Sequence, residues 1–441
     1  FRVYNYKSMN NNLKNISEKL SSINKKVYIV WWFCREMIIW NKDYNWDIDL
    51  VTDALPEEIK NVLNVVWEVG KKYWTCIIVE WKQSFEITTM REDIWSINNR
   101  KPANVIFTDS VEIDALRRDF TCNSIYYDFT KDIIIDPLDW KSDIKNNIIR
   151  FVWNKEERLN EDVLRIMRFI RFKNKYWFID QDNKIINEVK NYVSLLENIS
   201  IERIKEELDK ILLLENNVQA LEDLKYIWFF KYFIPEIDEL DKCVWNKWHL
   251  EWDVWIHTKM CVEEMNKIII RDSIIDEKEK LILLWSIFLH DIWKLPTYTV
   301  DEKWEWHYYN HENIWSKIFK EVTSKKLNFS KKETEEITFI IKEHIRLFMI
   351  PDMKTLKSRK LMMNKYFKKL LLVWEADNKW RIPMKLDRFN EILEIYNSFK
   401  DILKTKVFLT GKDILEKHPE LTWKDIWERL ENLNNQILIK D

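Results

Sequence analysis

Three groups of residues in this chain have types and spacing suited to chemistry. Asp47-Ile48-Asp49 opens a β-rich run. Residues i and i+2 of a strand share a face, so both carboxylates point the same way. Two hard oxygen ligands side by side suit Mg²⁺ held together with substrate phosphates. Glu86, on a later β-rich run, supplies a third carboxylate for a two-metal site of in-line phosphoryl transfer. Asp162, Arg165 and Arg168 recur every third residue, with Arg171 following. This spacing predicts one helix face carrying an acceptor and several donors, the groups that read base edges. His257 and the adjacent pair His290-Asp291 form the third group. Imidazole with carboxylate suits Mn²⁺, Ni²⁺, Mg²⁺ or Fe²⁺. His311 and His344 are further candidates for a second metal or for phosphate. Each group also has a plainer reading: a solvated strand edge, an ion-paired surface helix, and a scaffold without catalysis.

The elements that must position these groups divide the chain in two styles. Val27–Val30, Ile48–Thr52, Cys76–Glu80 and Phe85–Thr89 read as strands. Pro56–Val69 and Val111–Leu116 read as helices, the first with Asp53 as N-cap and Pro56 in its first turn. From about residue 155 onward there is almost no period-2 pattern, and helical stretches follow one another: 160–173, 183–197, 201–214, 217–230, 255–270, 277–291, 311–323, 331–347, 361–376 and 387–403. Pro235 with Glu236–Trp248 reads as a linker, and Arg381-Ile382-Pro383 as a second boundary.

With 46% apolar and 33% charged residues and a net charge of −2, the composition is globular, and any nucleic-acid binding must come from local basic patches. Two such patches are Arg165–Lys175 and Met353–Trp374, the latter with seven cations and no acidic residue. No apolar run is long enough for a membrane span. Five cysteines without CxxC spacing predict reduced thiols and a cytoplasmic protein. Met9 is a candidate initiator, with residues 1–8 upstream of it.

The chain holds 2 Gly and 25 Trp, where a chain of this length ordinarily carries roughly 31 glycines. Tyr28-Ile29-Val30-Trp31-Trp32-Phe33-Cys34-Arg35 runs from strand to helix. Read as Gly-Gly, Trp31 and Trp32 give a strand, a glycine pair and a helix N-terminus with Arg35 one turn in. Backbone N–H groups there cradle a triphosphate, and a Cβ would block the approach.

With that substitution, residues 28–52 resemble the first motif of the DNA polymerase β superfamily, and more narrowly the class II tRNA nucleotidyltransferases (CCA-adding enzymes) and bacterial poly(A) polymerases. Further blocks follow in order. Arg117-Arg118-Asp119-Phe120-Thr121-Cys122-Asn123-Ser124 resembles the second motif, Asp136-Pro137 through Trp153 the third, and Glu161-Asp162-Val163-Leu164-Arg165 the fourth. The order His257, His290-Asp291, Asp377 resembles the HD domain of metal-dependent phosphohydrolases, and Leu409–Asp413 with Leu421–Trp427 resembles the C-terminal segment of bacterial members.

The resemblance implies an α+β fold: a polymerase-β-like nucleotidyltransferase head with a mixed sheet, then an all-α neck, an HD domain and a tail. The expected divisions are an N-terminal extension 1–26, head 27–150, neck 151–240, HD domain 246–380 and helical tail 381–441. It implies template-independent addition of CCA to the tRNA 3′ end from CTP and ATP, with poly(A) synthesis or partial CC- or A-addition as neighbouring readings. An HD-type RNA-repair phosphohydrolase or a non-catalytic RNA-binding protein is a reading of another class. The implied roles are Asp47, Asp49 and Glu86 for catalysis with Mg²⁺. Trp31, Trp32, Arg35, Arg118, Asp119, Asn123, Asp162, Arg165, Arg168 and Arg171 are implied for nucleotide. His257, His290, Asp291 and Asp377 are implied for an HD metal such as Mn²⁺, Ni²⁺ or Mg²⁺. The resemblance also sets Trp31, Trp32, Trp74, Trp81, Trp140, Trp153, Trp293 and Trp315 at family glycines, as well as Trp423 and Trp427 in the tail. This predicts a source that reads UGA as glycine.

Overall fold

The computed structural model describes residues 2–30, 48–69, 75–81, 83–94, 104–180, 184–242, 253–292, 294, 297, 299–300, 306–307, 311–379, 386–405, 410–418 and 420–439. Contacts cluster into two compact units, Phe1–Glu207 and Leu208–Asp441.

The first unit is built on a seven-stranded mixed sheet. Its strands are β1 (Val27–Val30), β2 (Asp49–Thr52), β3 (Val65–Val69), β4 (Thr75–Glu80), β5 (Gln83–Thr89), β8 (Tyr126–Asp128) and β9 (Ile133–Ile135), in the order β3-β4-β5-β2-β1-β8-β9. β6 (Arg91–Ile94) and β7 (Asn104–Phe107) form a separate antiparallel pair. β2 and β5 run parallel, and the other described neighbours in the large sheet run antiparallel. The strands are rich in β-branched and aromatic residues, which fit a pleated surface. Tyr28, Val30, Val51, Met90, Val111, Ala115 and Tyr126 pack into one buried cluster, so helix Val111–Leu116 covers part of one sheet face. The N-terminal helix Arg2–Ser21 is tied to the β4–β5 hairpin through Asn12 and Gln83 (3.1 Å) and through Lys19 and Glu80 (2.8 Å).

Several local expectations are corrected. The helix at Pro56 ends at Val62, and Val65–Val69 leaves it to become the edge strand β3. Its three valines favour the pleat over the helix. The N-cap is Leu55, whose N–H donates to Glu58 (2.7 Å), while the Asp53 carboxylate accepts from the Lys26 N–H (2.6 Å). The stretch 160–173 is two helices, Lys155–Glu161 and Arg165–Lys175, broken at an extended Asp162. The segment read as a linker starts as a 3₁₀ helix, Pro235–Lys242, with Ile237 and Leu240 buried; residues 243–252 lie outside the described residues. A short antiparallel pair, Thr299–Val300 with Trp306–His307, interrupts the otherwise helical second unit. The boundary at 381–383 also lies outside the described residues.

The second unit is helical. Helices Val254–Arg271, Glu277–Leu289, His311–Ile318, Lys331–Glu343 and Phe367–Lys379 pack around a core containing Trp285, Phe288, Trp315 and Trp374. Among the described residues no helix is long and apolar enough to cross a membrane.

Ten described non-glycine residues have left-handed backbone. Six are Asn, Asp or Ser, and four are tryptophans: Trp81 (φ 46°), Trp153 (59°), Trp177 (56°) and Trp228 (65°). Asn and Asp tolerate this region, whereas a bulky residue there is an outlier. Trp81 begins the two-residue turn of the β4–β5 hairpin, where the favoured turns need positive φ. Trp177 follows the helix Arg165–Lys175 and its cap Tyr176, with Phe178 N–H donating back to the Lys173 carbonyl (2.9 Å). Trp228 follows the cap Ile227 in the same way and donates to the Lys225 carbonyl (2.9 Å), so the helix expected over 217–230 breaks there. Both are the position just past a helix end that glycine ordinarily fills. All four side chains are exposed and hold little packing. Trp177→Gly and Trp228→Gly should each stabilise the protein by about 1 kcal/mol. Trp427→Gly, an exposed site inside helix Trp423–Ile439, should lower stability by a few tenths to about 1 kcal/mol. Denaturant midpoints of the three variants measure this.

Candidate functional site

On the sheet, β2 and β5 are in register with Asp49 opposite Glu86 and Val51 opposite Thr88. Parallel neighbours level with one another share a face, so the two carboxylates stand side by side. Phe85, Ile87 and Thr89 turn to the buried side, which leaves Glu86 exposed. A cleft over this face is lined by Val30, Asp49, Val51, Thr75, Glu86 and Thr88 from the sheet, and by Arg91, Arg117 and Arg118. Arg117 caps the C-terminus of helix Val111–Leu116, so the packing of that helix on the sheet sets two guanidiniums beside the carboxylates. β1 ends at Val30, which pairs with Asp49. Asp47, Trp31, Trp32 and Arg35 lie outside the described residues.

The arginines of the cleft are held from behind by a group that sequence reasoning missed. Asp114 is fully buried and accepts from Arg117 Nε (2.7 Å), Arg118 Nη2 (2.6 Å) and Tyr126 Oη (2.7 Å). Arg118 Nε also reaches Tyr126 Oη (3.0 Å). Burial opposes ionisation of Asp114, yet Arg117 and Arg118 hold its carboxyl well below the usual range. An acidic residue three and four positions before an Arg-Arg pair is the sequence signal for this arrangement.

Asp119 and Asn123 are buried and bonded to each other (2.8 Å). Asp119 Oδ2 accepts from Arg168 Nε (2.7 Å), which ties the second motif to helix Arg165–Lys175. Burial pushes the Asp119 carboxyl up, and Arg168 with Asn123 overcomes that and lowers it to about 2.

The predicted Asp162–Arg171 face is only partly assembled. Asp162 sits outside the helix and accepts from Arg203 (2.7 Å). Arg165 is buried and bonds Glu161 (2.6 Å) and the Arg158 carbonyl (2.5 Å). Arg171 pairs with Glu207 (2.7 Å) and lies over the Phe172 ring. Arg165, Arg168 and Arg171 thus each have a carboxylate partner within the protein, which weakens the first basic patch. In the second patch, Arg359 is buried against the Leu438 carbonyl and Lys360 pairs with Glu431.

In the second unit the H…HD…D residues come together with three more side chains. His257, Cys261, His290 and Asp377 offer ligand atoms within 4.8 Å of one another, and so do Asp291, His311 and His344. All seven are buried. His290 and His344 each stand at the C-terminus of a helix and donate Nδ1–H to a carbonyl three residues back, Ile287 (2.7 Å) and Ile341 (2.6 Å). That bond fixes the tautomer and aims Nε2 inward. His257 Nε2 is 3.1 Å from Asp377 Oδ1. Asp291 faces both groups: Oδ2 is 3.2 Å from His290 Nε2, and Oδ1 is 3.2 Å from His311 Nε2. The Lys294 ammonium also pairs with Asp291 Oδ2. Burial lowers His257 and His344, while Asp291, against the effect of burial, raises His290 to about 9. His290 Nε2 is buried without a hydrogen-bond partner, which fits a site built for a cation. Cys261 is absent from the expected ligand set; its i+4 spacing from His257 was the available signal.

The sheet, its paired carboxylates and the arginine-rimmed cleft define a nucleotidyltransferase-type head. Residues 27–150 match the Poly A polymerase head domain, and residues 182–241 match the Probable RNA and SrmB-binding site of polymerase A. The chain is 32% identical over 241 residues to the CCA-adding enzyme of Limosilactobacillus reuteri (strain DSM 20016), covering 54% of this chain and 59% of that protein. It is 39% identical over 187 residues to the CCA-adding enzyme of Ligilactobacillus salivarius (strain UCC118), covering 42% and 46%. The chain therefore spans about half the length of the curated relatives it matches. In fold it is similar to the Bacillus stearothermophilus CCA-adding enzyme in complex with CTP, with a TM-score of 0.65 at 20% identity over 97% of this chain and 92% of that one. Residues 27–150 and 182–241 are thus similar to domains of poly(A) polymerases, and the relatives matched are CCA-adding enzymes. Both matched spans end before the histidine cluster.

Asp119 makes a pH prediction. Its folded value of about 2 lies below the unfolded 3.8, so its stabilisation is present above the unfolded value and lost as pH falls through the folded one. The stability difference between wild type and Asp119→Asn should shrink by about 2 kcal/mol between roughly pH 5 and pH 2. Urea unfolding at a series of pH values measures it, and a constant difference would refute the assignment.

Proposed function

We propose that the head is a CCA tRNA nucleotidyltransferase, adding CCA to the 3′ end of tRNA from CTP and ATP without a nucleic-acid template. The observation that carries this reading is the in-register Asp49–Glu86 pair on the floor of an arginine-rimmed cleft, within a span that matches the Poly A polymerase head. The curated relatives named as CCA-adding enzymes favour CCA addition over poly(A) synthesis.

The chemistry follows from the side chains. Asp47, Asp49 and Glu86 would hold Mg²⁺, whose charge offsets that of the nucleotide triphosphate and the attacking tRNA hydroxyl. Arg117 and Arg118, preset by Asp114 and Tyr126, bind phosphate without rearranging. Arg168, set by Asp119, lies near the base-reading segment that begins at Arg165. Trp31, Trp32 and Arg35 belong to the phosphate cradle in this reading, with Asn123, Asp162, Arg165 and Arg171 completing the nucleotide set. A location in the cytoplasm, where tRNA is matured, accords with five cysteines that show no CxxC spacing.

A second reading adds to the first. The seven-residue cluster in the second unit has the donor set of an HD-type metal centre, with His257, His290, Asp291 and Asp377 as its core and the orphaned His290 Nε2 in its favour. Bound metal would supply a Lewis acid for hydrolysis of a phosphate ester. Lys294, paired with Asp291, supplies a cation beside the cluster.

One experiment separates the two sites. A tRNA lacking its 3′ end, given CTP, ATP and Mg²⁺, should gain three nucleotides, and Asp49→Ala should reduce the rate by at least about a hundredfold. Phosphatase activity on a generic phosphate ester should survive Asp49→Ala and be lost in His290→Ala. Addition that survives Asp49→Ala would remove the assigned transferase site. A longer homopolymer of A as product would favour poly(A) synthesis.

A further inference from the structure

The histidine cluster contains one ligand of a different chemical kind. Cys261 lies one turn after His257 on helix Val254–Arg271, so both project from the same face. Its sulfur is fully buried and stands 3.3 Å from His257 Nε2, among ligand atoms of His257, His290 and Asp377. The neighbouring group, Asp291, His311 and His344, has three residues and no sulfur. The two halves therefore differ in softness and in number of protein ligands. We propose that Cys261 is a metal ligand, and that with His257, His290 and Asp377 it forms a closed four-ligand position selective for zinc. The three-ligand half keeps an open position for water or phosphate.

The argument rests on the metal-centre reading above and adds to it. Thiolate with imidazole and one carboxylate is a borderline-soft set that suits Zn²⁺ and disfavours Mg²⁺. Four protein ligands close a tetrahedral zinc site, whereas catalytic sites keep one position open. The independent sign of a ligand is His290 Nε2, buried, aimed into this half by the Nδ1–H bond to Ile287, and 3.2 Å from Asp291 Oδ2 without hydrogen-bond geometry to it.

The test uses the full chain, stripped of metal and titrated with Co²⁺ as a spectroscopic stand-in for zinc. Wild type should show a thiolate-to-cobalt charge-transfer band with intense tetrahedral d–d bands at the first equivalent, displaced by Zn²⁺ and unaffected by millimolar Mg²⁺. Cys261→Ser should lose the charge-transfer band and bind the first equivalent about tenfold or more weakly, while its metal-free melting curve matches wild type. Cys261→Ala repeats the test without an oxygen. His290→Ala should lose the first equivalent altogether. A wild-type spectrum retained in Cys261→Ser overturns the thiolate ligand and leaves the metal centre standing. A wild-type protein that takes up no Co²⁺ overturns both.

A separate observation carries a second inference. We infer that Trp81, Trp153, Trp177 and Trp228 stand at glycine positions, and that the source decodes UGA as glycine. The backbone argument needs no relative for comparison: four of the ten described left-handed residues are tryptophan, the three treated above being a hairpin turn and two helix ends. Trp140 adds to it. It is fully buried with Nε1 unpaired, a loss of about 1 to 3 kcal/mol that glycine would not incur. Peptide mass spectrometry of the protein isolated from its source decides the matter at positions 177 and 228. Glycine at both is the expected result, and tryptophan at either overturns the inference.

Discussion

The parallel pairing of β2 with β5 is the constraint on which the head depends. Parallel neighbours cannot be joined by a tight turn. The chain must leave β2, cross through helix Pro56–Val62, and return along β3 and β4 before β5 can lie beside β2. Only then do two carboxylates 37 positions apart become level. The antiparallel pairing of β1 with β2 brings Val30, the last described residue before the expected phosphate cradle, opposite Asp49. Cleft and carboxylates both follow from one strand order.

Around that floor, buried charge does the holding. Asp114 and Asp119 are carboxylates that burial would neutralise, and each stays ionised because arginines and hydrogen-bond donors close on it. Removing one partner of such a pair leaves an uncompensated charge in the interior, which costs far more than the pair contributes. These residues are therefore committed to fixing the positions of Arg117, Arg118 and Arg168. The histidine cluster uses a different device. Helix C-termini leave carbonyls without intrahelical partners, and two such carbonyls, at Ile287 and Ile341, orient two imidazoles.

Much of this was legible in sequence. Alternation and spacing disclosed strands β1, β2, β4 and β5, the acidic pair beyond β1, and the H…HD…D order, because local periodicity carries that information. What was not legible depended on partners distant in the chain. Val65–Val69 becomes a strand because β4 is there to pair with it. Asp162 leaves the helical face because its carboxylate accepts from Arg203 and from the N–H of Leu164, the cap of the next helix. The arginines from 165 to 171 look like a basic surface when read alone, and become internal struts once Glu161, Asp119 and Glu207 fold against them. Asp114 and Cys261 had a signal at i+3 and i+4, but no reason to be singled out before their neighbours were placed.

Asp291 presents one oxygen to each half of the histidine cluster. A shared carboxylate makes occupancy of the two halves a linked equilibrium. A cation drawn to one oxygen withdraws charge from the other, and by thermodynamic reciprocity the effect runs equally in both directions. In the proposed metal centre, filling one half would change how readily the other takes its own ion.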